Sequence, residues 1–173
     1  MLRSYSGVQW TTLEPERQTR LDGSSLSVEP FAVGGDAPRY LEAAGVELEA
    51  SGYVFRDRTG GAVVTYVPGL ARVDDRVRDR LAASDLVLVD GTFWTEEELP
   101  RLGFSIRTAS DMGHVPLSGP GGTLELLAGL MRPRKALVHI NNTNPILLDD
   151  SPERHAVYRA GVEVAYDGLE FDV

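Results

Sequence analysis

The spacing of apolar residues changes rhythm once along this chain. In the first third it is short-period and strand-like. Val8–Leu13 is rich in Val, Trp and Thr, and Leu26–Val33 places apolar side chains at Leu26, Val28 and Phe31. Pro38–Ala44 predicts a short helical turn closed by Gly45. Gly52–Arg58 and Ala62–Val67 are two β-type runs separated by Thr59-Gly60-Gly61, which predicts a hairpin turning through glycine. Beyond Pro68-Gly69 the period lengthens. Val73, Val77 and Leu81 fall on one helical face of Asp74–Ala83, and Leu86–Val89 is a continuous apolar run suited to a strand buried on both faces. Thr95 and Glu98 have capping-box spacing and predict a short helix over Thr95–Leu99. Gly122–Met131 reads as a helix and Ala136–Ile140 as a second buried strand. Ser151-Pro152 supplies the N-cap and first position of a helix that stops at Gly161. Val162–Ala165 and Leu169–Val173 predict a closing hairpin across Tyr166-Asp167-Gly168. Strands first, then strands alternating with helices, predict an α/β fold with a mixed sheet and flanking helices.

Composition narrows this by exclusion. The 173 residues fit one domain, residues 1–173. A domain of that size buries roughly 70% of its unfolded surface, enough for a real core. With 17 basic and 26 acidic side chains the net charge is −9. Extended binding to nucleic acid or an anionic membrane needs a basic face, so neither is expected. A small anionic substrate held by a few arginines remains compatible. There is no cysteine, which removes disulfides, thiolate metal sites, iron–sulfur clusters and a cysteine nucleophile. Any metal must use His, Asp, Glu or Asn, a donor set suited to zinc, iron, manganese or magnesium. No apolar run approaches the roughly 20 residues of a membrane span, and Met1–Ser6 has no apolar segment of a signal peptide, so a cytoplasmic protein is expected.

Polar residues gather at the ends of the buried strands, where α/β folds place ligands. Asp90-Gly91-Thr92 follows one strand; His139-Ile140-Asn141-Asn142-Thr143-Asn144 follows the other; Asp111-Met112-Gly113-His114 lies in a loop before a helix. Each has a purely structural alternative. Asp90 and Thr92 can cap a turn, the asparagines before Pro145 can be turn formers, and a lone His on a strand can be a hydrogen-bonded structural residue. His155, among charged helical neighbours, is expected at the surface. The Ser118–Gly122 loop resembles an anion nest but has neither a P-loop lysine nor dinucleotide-fingerprint spacing.

Taken together, Asp111–Pro116, Arg134-Lys135, His139–Leu147, Asp150–Arg154 and Ala160–Gly168 closely resemble the C-terminal part of the coenzyme PQQ synthesis protein B family. Tyr66–Leu70 and Leu88–Trp94 are similar to further segments of that family, and Gly7–Trp10 to the segment before them. The resemblance implies part of a metallo-β-lactamase-like αβ/βα sandwich lacking its N-terminal half. By position, His139 resembles the last metal-ligand histidine of the superfamily, His114 the loop histidine of tRNA-processing relatives, and Asp90 the acidic residue that orients it. Asn141 and Asn142 would polarise or position substrate. The chain also departs from the pattern. The His-x-His-x-Asp-His motif is absent, and Pro68-Gly69 stands where related hydrolases carry a bridging Asp.

The resemblance implies a role in pyrroloquinoline quinone (PQQ) biosynthesis. Two activities go with it: metal-dependent oxygenation of a precursor derived from tyrosine and glutamate, with iron or zinc weakly held by, or absent from, this chain alone, and non-catalytic binding and transport of PQQ or its precursor. A degenerate metallo-hydrolase is a third reading. A half-sandwich exposes a sheet face that the missing half would cover, so a homodimer or a complementary N-terminal chain is expected.

Overall fold

The computed structural model describes residues 11–34 and 50–173. The expected turn at Pro38–Ala44 and the first part of Val8–Leu13 lie outside these residues, and residues 11–13 form no strand. The described elements are β1 (Thr19–Arg20), β2 (Leu26–Ala32), β3 (Ser51–Asp57), β4 (Val63–Val67), α1 (Asp75–Ala82), β5 (Leu86–Asp90), α2 (Glu98–Leu102), α3 (Thr123–Ala128), β6 (Arg134–Val138), α4 (Pro152–Arg159) and β7 (Glu163–Val164). Single 3-10 turns lie at Ser110–Met112 and Pro145–Leu147.

The strands form one mixed seven-stranded sheet in sequence order. β1 to β4 are antiparallel and β4 to β7 parallel. Chemistry of the connections explains the switch. Thr59-Gly60-Gly61 closes the β3–β4 hairpin, with Asp57 accepting the Thr59 and Gly60 amides at 3.1 and 2.6 Å. Each later crossover contains a helix, as parallel pairing requires. Asp74 opens the first of these by accepting the Val77 amide at 2.9 Å.

Register aligns Val67, Val89, Leu137 and Val164 across the sheet. These pack in one core with Val77 and Leu81 of α1, Leu126 and Leu127 of α3, and Val157 of α4. Full burial of each such side chain stabilises the fold by roughly 1.5–3 kcal/mol. The alternate positions Tyr53, Phe55, Val64, Tyr66 and Leu88 point to the other face and are half-buried. Asp90 belongs to that second set by its alternation with Leu88, so β5 delivers a carboxylate to the carboxyl end of the sheet.

Three expectations are corrected. Glu98 does not complete a capping box: α2 begins at Glu98 itself with no side-chain cap, and the Glu98 carboxylate accepts the Trp94 amide at 2.7 Å. The helix expected over Gly122–Met131 is shorter, because Gly129 ends it. No closing hairpin forms. Among the described residues β7 pairs with β6 alone, and beyond the Tyr166–Leu169 turn the chain places Phe171 against the Arg134 guanidinium, 4.7 Å from the ring centre. That contact takes the tail away from antiparallel pairing.

Candidate functional site

The expected histidines and aspartate come together. Asp90, His114 and His139 each offer a ligand atom, all within 4.8 Å of one another, a group able to hold a metal ion. Different local devices deliver each residue. Asp90 ends β5. Gly91 allows the next turn: a Cβ there would meet Leu137 Cβ at 3.0 Å and the Val138 carbonyl at 3.2 Å, while the Gly91 amide bonds that carbonyl at 2.8 Å. His114 follows Gly113, whose φ of 80° turns the loop back so that the His114 amide reaches the Ala109 carbonyl at 3.0 Å. His139 stands one residue beyond β6 with φ of 55°, a left-handed conformation uncommon outside glycine. Such strain recurs at functional positions because the surroundings must enforce it.

The Asp90 carboxylate is 1% exposed and fully engaged. Oδ2 accepts the Leu70 amide at 3.0 Å and His114 Nδ1–H at 2.6 Å. Oδ1 accepts the Thr92 amide at 3.0 Å and the Thr92 hydroxyl at 2.5 Å. Burial alone would raise its pKa, but the hydrogen bonds from His114 and the His139 side, the His114 charge and Thr92 outweigh it and lower it to about 2. Asp90 is therefore ionised and acceptor-only.

That fixes the protons around it. Thr92 has one hydroxyl proton, and the charged carboxylate is its strongest acceptor, ahead of the His139 carbonyl at 2.9 Å. Thr92 Oγ1 must then accept from His139 Nδ1–H, 2.8 Å away. Both imidazoles are held with the proton on Nδ1, leaving the Nε2 lone pairs free for a metal or a substrate proton. His139 Nδ1 also lies 3.6 Å from Asp90 Oδ1, too long for a direct hydrogen bond. The carboxylate nevertheless raises the His139 pKa above its ordinary value, against the ring's partial burial. The two rings stack with centres 5.4 Å apart, and Phe93 packs edge-on against His114 at 5.8 Å.

Replacing Thr92 by valine keeps the shape and removes this bridge. His139 is then expected to populate both tautomers in nitrogen NMR, with zinc affinity reduced about 10- to 100-fold. Thr92→Ser should restore both. An unchanged tautomer in the valine variant would refute the bridging role.

Hydrogen bonds to both site-bearing loops hold the asparagine loop in place. Asn144 is buried and its Nδ2 donates to the Gly91 carbonyl at 2.8 Å, stitching the two site-bearing loops together. Asn141 bonds the Thr92 carbonyl through its amide at 3.2 Å and gives its side-chain Nδ2 to Thr143 Oγ1 at 2.6 Å. Asn142 is exposed, and so is His155, as expected. Three amides of the Ser118–Gly122 loop are already used: Ser118 donates to the Trp94 carbonyl at 2.9 Å, Gly121 to Glu125 at 2.8 Å and Gly122 to the Gly119 carbonyl at 3.1 Å. Sequence reasoning missed Thr92 as a bridge and Glu98 as a buried carboxylate. An Asp-x-Thr pattern after a buried strand was the available signal for the first.

Residues 1–140 match the family model described as the beta-lactamase superfamily domain. Coenzyme PQQ synthesis protein B of Cupriavidus necator is 47% identical over 157 residues, 87% of this chain and 49% of that protein. The protein of the same name from Pseudomonas putida strain W619 is 44% identical, covering 96% of this chain and 56% of its own length. The chain thus spans about half the length of the curated relatives it matches. Among solved structures, zinc-bound PqqB from Methylobacterium extorquens gives a TM-score of 0.84 at 36% identity, covering 94% of this chain and 55% of that one. Unliganded yeast PDE1, at 15% identity and TM-score 0.57, shares the fold.

Proposed function

The chain belongs to the beta-lactamase superfamily domain family, and from that premise we propose that it acts in PQQ biosynthesis as a coenzyme PQQ synthesis protein B-type protein, at the site formed by Asp90, His114 and His139. The observation that carries this is the pair of imidazoles oriented through one ionised, hydrogen-bonded carboxylate. Two imidazole nitrogens oriented by one carboxylate suit zinc or iron, so the residues present fit part of a metal's ligand set.

His114 and His139 would hold the ion through Nε2, with Asp90 orienting both rings. An ion bound there supplies Lewis-acid chemistry and, if iron, redox chemistry. The chain's own residues do the rest. His139 fixes one side of the site. His114 takes or gives a proton at Nε2 when not coordinated, while Asp90 holds its tautomer. Asn141 and Asn142, on the loop after His139, contact a substrate derived from tyrosine and glutamate.

Protons compete with metal for both rings. His139, with its pKa raised above 6.5, stays protonated to higher pH than an ordinary histidine. Zinc affinity is therefore expected to fall as pH drops through and somewhat above that value. The decisive experiment measures bound iron and zinc, oxygen uptake and product with the peptide-derived precursor. It uses this chain alone and together with the N-terminal part of the Cupriavidus necator relative. Neither metal binding nor turnover in either case would end the catalytic reading.

A specific observation favours a second reading. All four acceptor positions of Asp90 are occupied, leaving two nitrogens where a catalytic metal usually has three protein ligands. A non-catalytic carrier of PQQ or its precursor would bind its ligand equally well after His139→Ala.

A further inference from the structure

Glu98 is a buried carboxylate, 6% exposed, that takes no part in the function proposed above. It sits where the two site-bearing loops meet. From the loop after β5, the Trp94 amide donates to its Oε2 at 2.7 Å. From the loop after β6, the Thr143 hydroxyl donates to its Oε1 at 2.5 Å. Thr143 Oγ1 in turn receives Asn141 Nδ2 at 2.6 Å.

The direction of this relay is forced. A carboxylate has no proton to give, so the single Thr143 hydroxyl proton goes to Glu98. Thr143 must then accept from Asn141, and only the amide nitrogen of Asn141 can donate. The opposite end of that amide, the carbonyl Oδ1, is turned away from the relay and has no hydrogen-bond partner among the described residues. No buried side-chain oxygen or nitrogen among those residues lacks a partner, so this oxygen is open to water or a ligand. It lies two residues after His139, on a loop tied to Thr92 by the Asn141 amide at 3.2 Å.

We infer that Glu98 is a positioning residue that, through Thr143, fixes Asn141 as a hydrogen-bond acceptor, so that the site selects a ligand presenting a hydroxyl or amine donor. Asn141 contacts the ligand; Glu98 sets which end of the amide it meets. A donor-free analogue would leave Oδ1 unpaired on binding and be rejected accordingly.

Glu98→Gln is the direct test. Its amide can donate to Thr143, freeing the Thr143 proton to turn toward Asn141 Oδ1 and reverse the Asn141 amide. The first readout is hydrogen exchange of the Asn141 side-chain NH2 by nitrogen-labelled NMR. It should be slowed at least about 10-fold relative to exposed Asn142 in the parent chain, and the slowing should vanish in Glu98→Gln and Thr143→Val but persist in Thr143→Ser. The second readout compares L-tyrosine with O-methyl-L-tyrosine, which lacks the phenol donor, and with 3-(4-hydroxyphenyl)propanoic acid, which lacks the amine. This choice rests on the tyrosine-derived substrate proposed above. One analogue should bind about 3- to 10-fold more weakly than L-tyrosine, identifying the donor, and Glu98→Gln should erase the ratio. A fast-exchanging Asn141 amide, one unaffected by Glu98→Gln, or a ratio that survives the substitution would overturn the inference. Failure of all three compounds to bind would count against the substrate class, while amide exchange alone would still decide the orientation of Asn141.

Discussion

Asp90→Ala is expected to cost about 3 kcal/mol of stability at neutral pH and to abolish the site's hold on metal. The carboxylate is 1% exposed and its four acceptor positions serve the Leu70 and Thr92 amides, the Thr92 hydroxyl and His114. Removing it leaves buried donors with no acceptor and frees both rings from their tautomers. Asn is no substitute, because its NH2 end would face a donor on one side. The pH dependence gives an independent check. The Asp90 pKa falls from 3.8 to about 2 on folding. A lowered carboxylate pKa stabilises the fold above its unfolded value, and that contribution is lost as pH falls through the folded value. That lowering corresponds to about 2.5 kcal/mol, fully present well above pH about 4, lost progressively as pH falls toward about 2, and gone only below that. Denaturant unfolding at several pH values should show this acid limb in the parent chain and a flatter one in Asp90→Ala. Equal acid sensitivity in the two would mean that other carboxylates govern the transition.

The parts of the site that could be read from sequence share one property: they depend on neighbours close along the chain. Leu86–Val89 is apolar without interruption, which predicts a buried strand and places Asp90 at its carboxyl end. Thr59-Gly60-Gly61 dictates a hairpin whatever surrounds it. Glu98 shows the opposite case. Its spacing from Thr95 suggested a local cap, but its hydrogen-bond partner Thr143 is 45 positions away. Only the meeting of the β5 and β6 loops creates that contact. The final hairpin failed for a related reason. Asp167-Gly168 permits a tight turn, yet a turn pairs strands only if the following residues have nothing better to do, and Phe171 has Arg134. His139 was legible as a residue but not as a conformation, since nothing in His-Ile-Asn-Asn requires a positive φ.

That conformation makes His139 the position of the second large effect. Structural zinc sites with four ligands bind with about 10–16 kcal/mol, so one ligand is worth about 3 kcal/mol. His139→Ala and His139→Gly should therefore each lower zinc affinity at least about 100-fold. Their stabilities should differ in an unusual direction. Glycine ordinarily destabilises a fold relative to alanine through its greater freedom when unfolded. At φ of 55° a Cβ crowds the following carbonyl, a strain of roughly 1–2 kcal/mol that glycine escapes. The imidazole contributes its own hold on this backbone through Thr92, and alanine removes that while keeping the Cβ. His139→Gly is thus expected to be about 1 kcal/mol more stable than His139→Ala, although both lack the metal site. Chemical denaturation measures the first difference and zinc titration the second. His139→Gly less stable than His139→Ala by glycine's ordinary cost of about 0.5–1 kcal/mol would show that the backbone at 139 is unstrained. Undiminished zinc affinity in both would remove His139 as a ligand and leave the carrier reading in possession of the site.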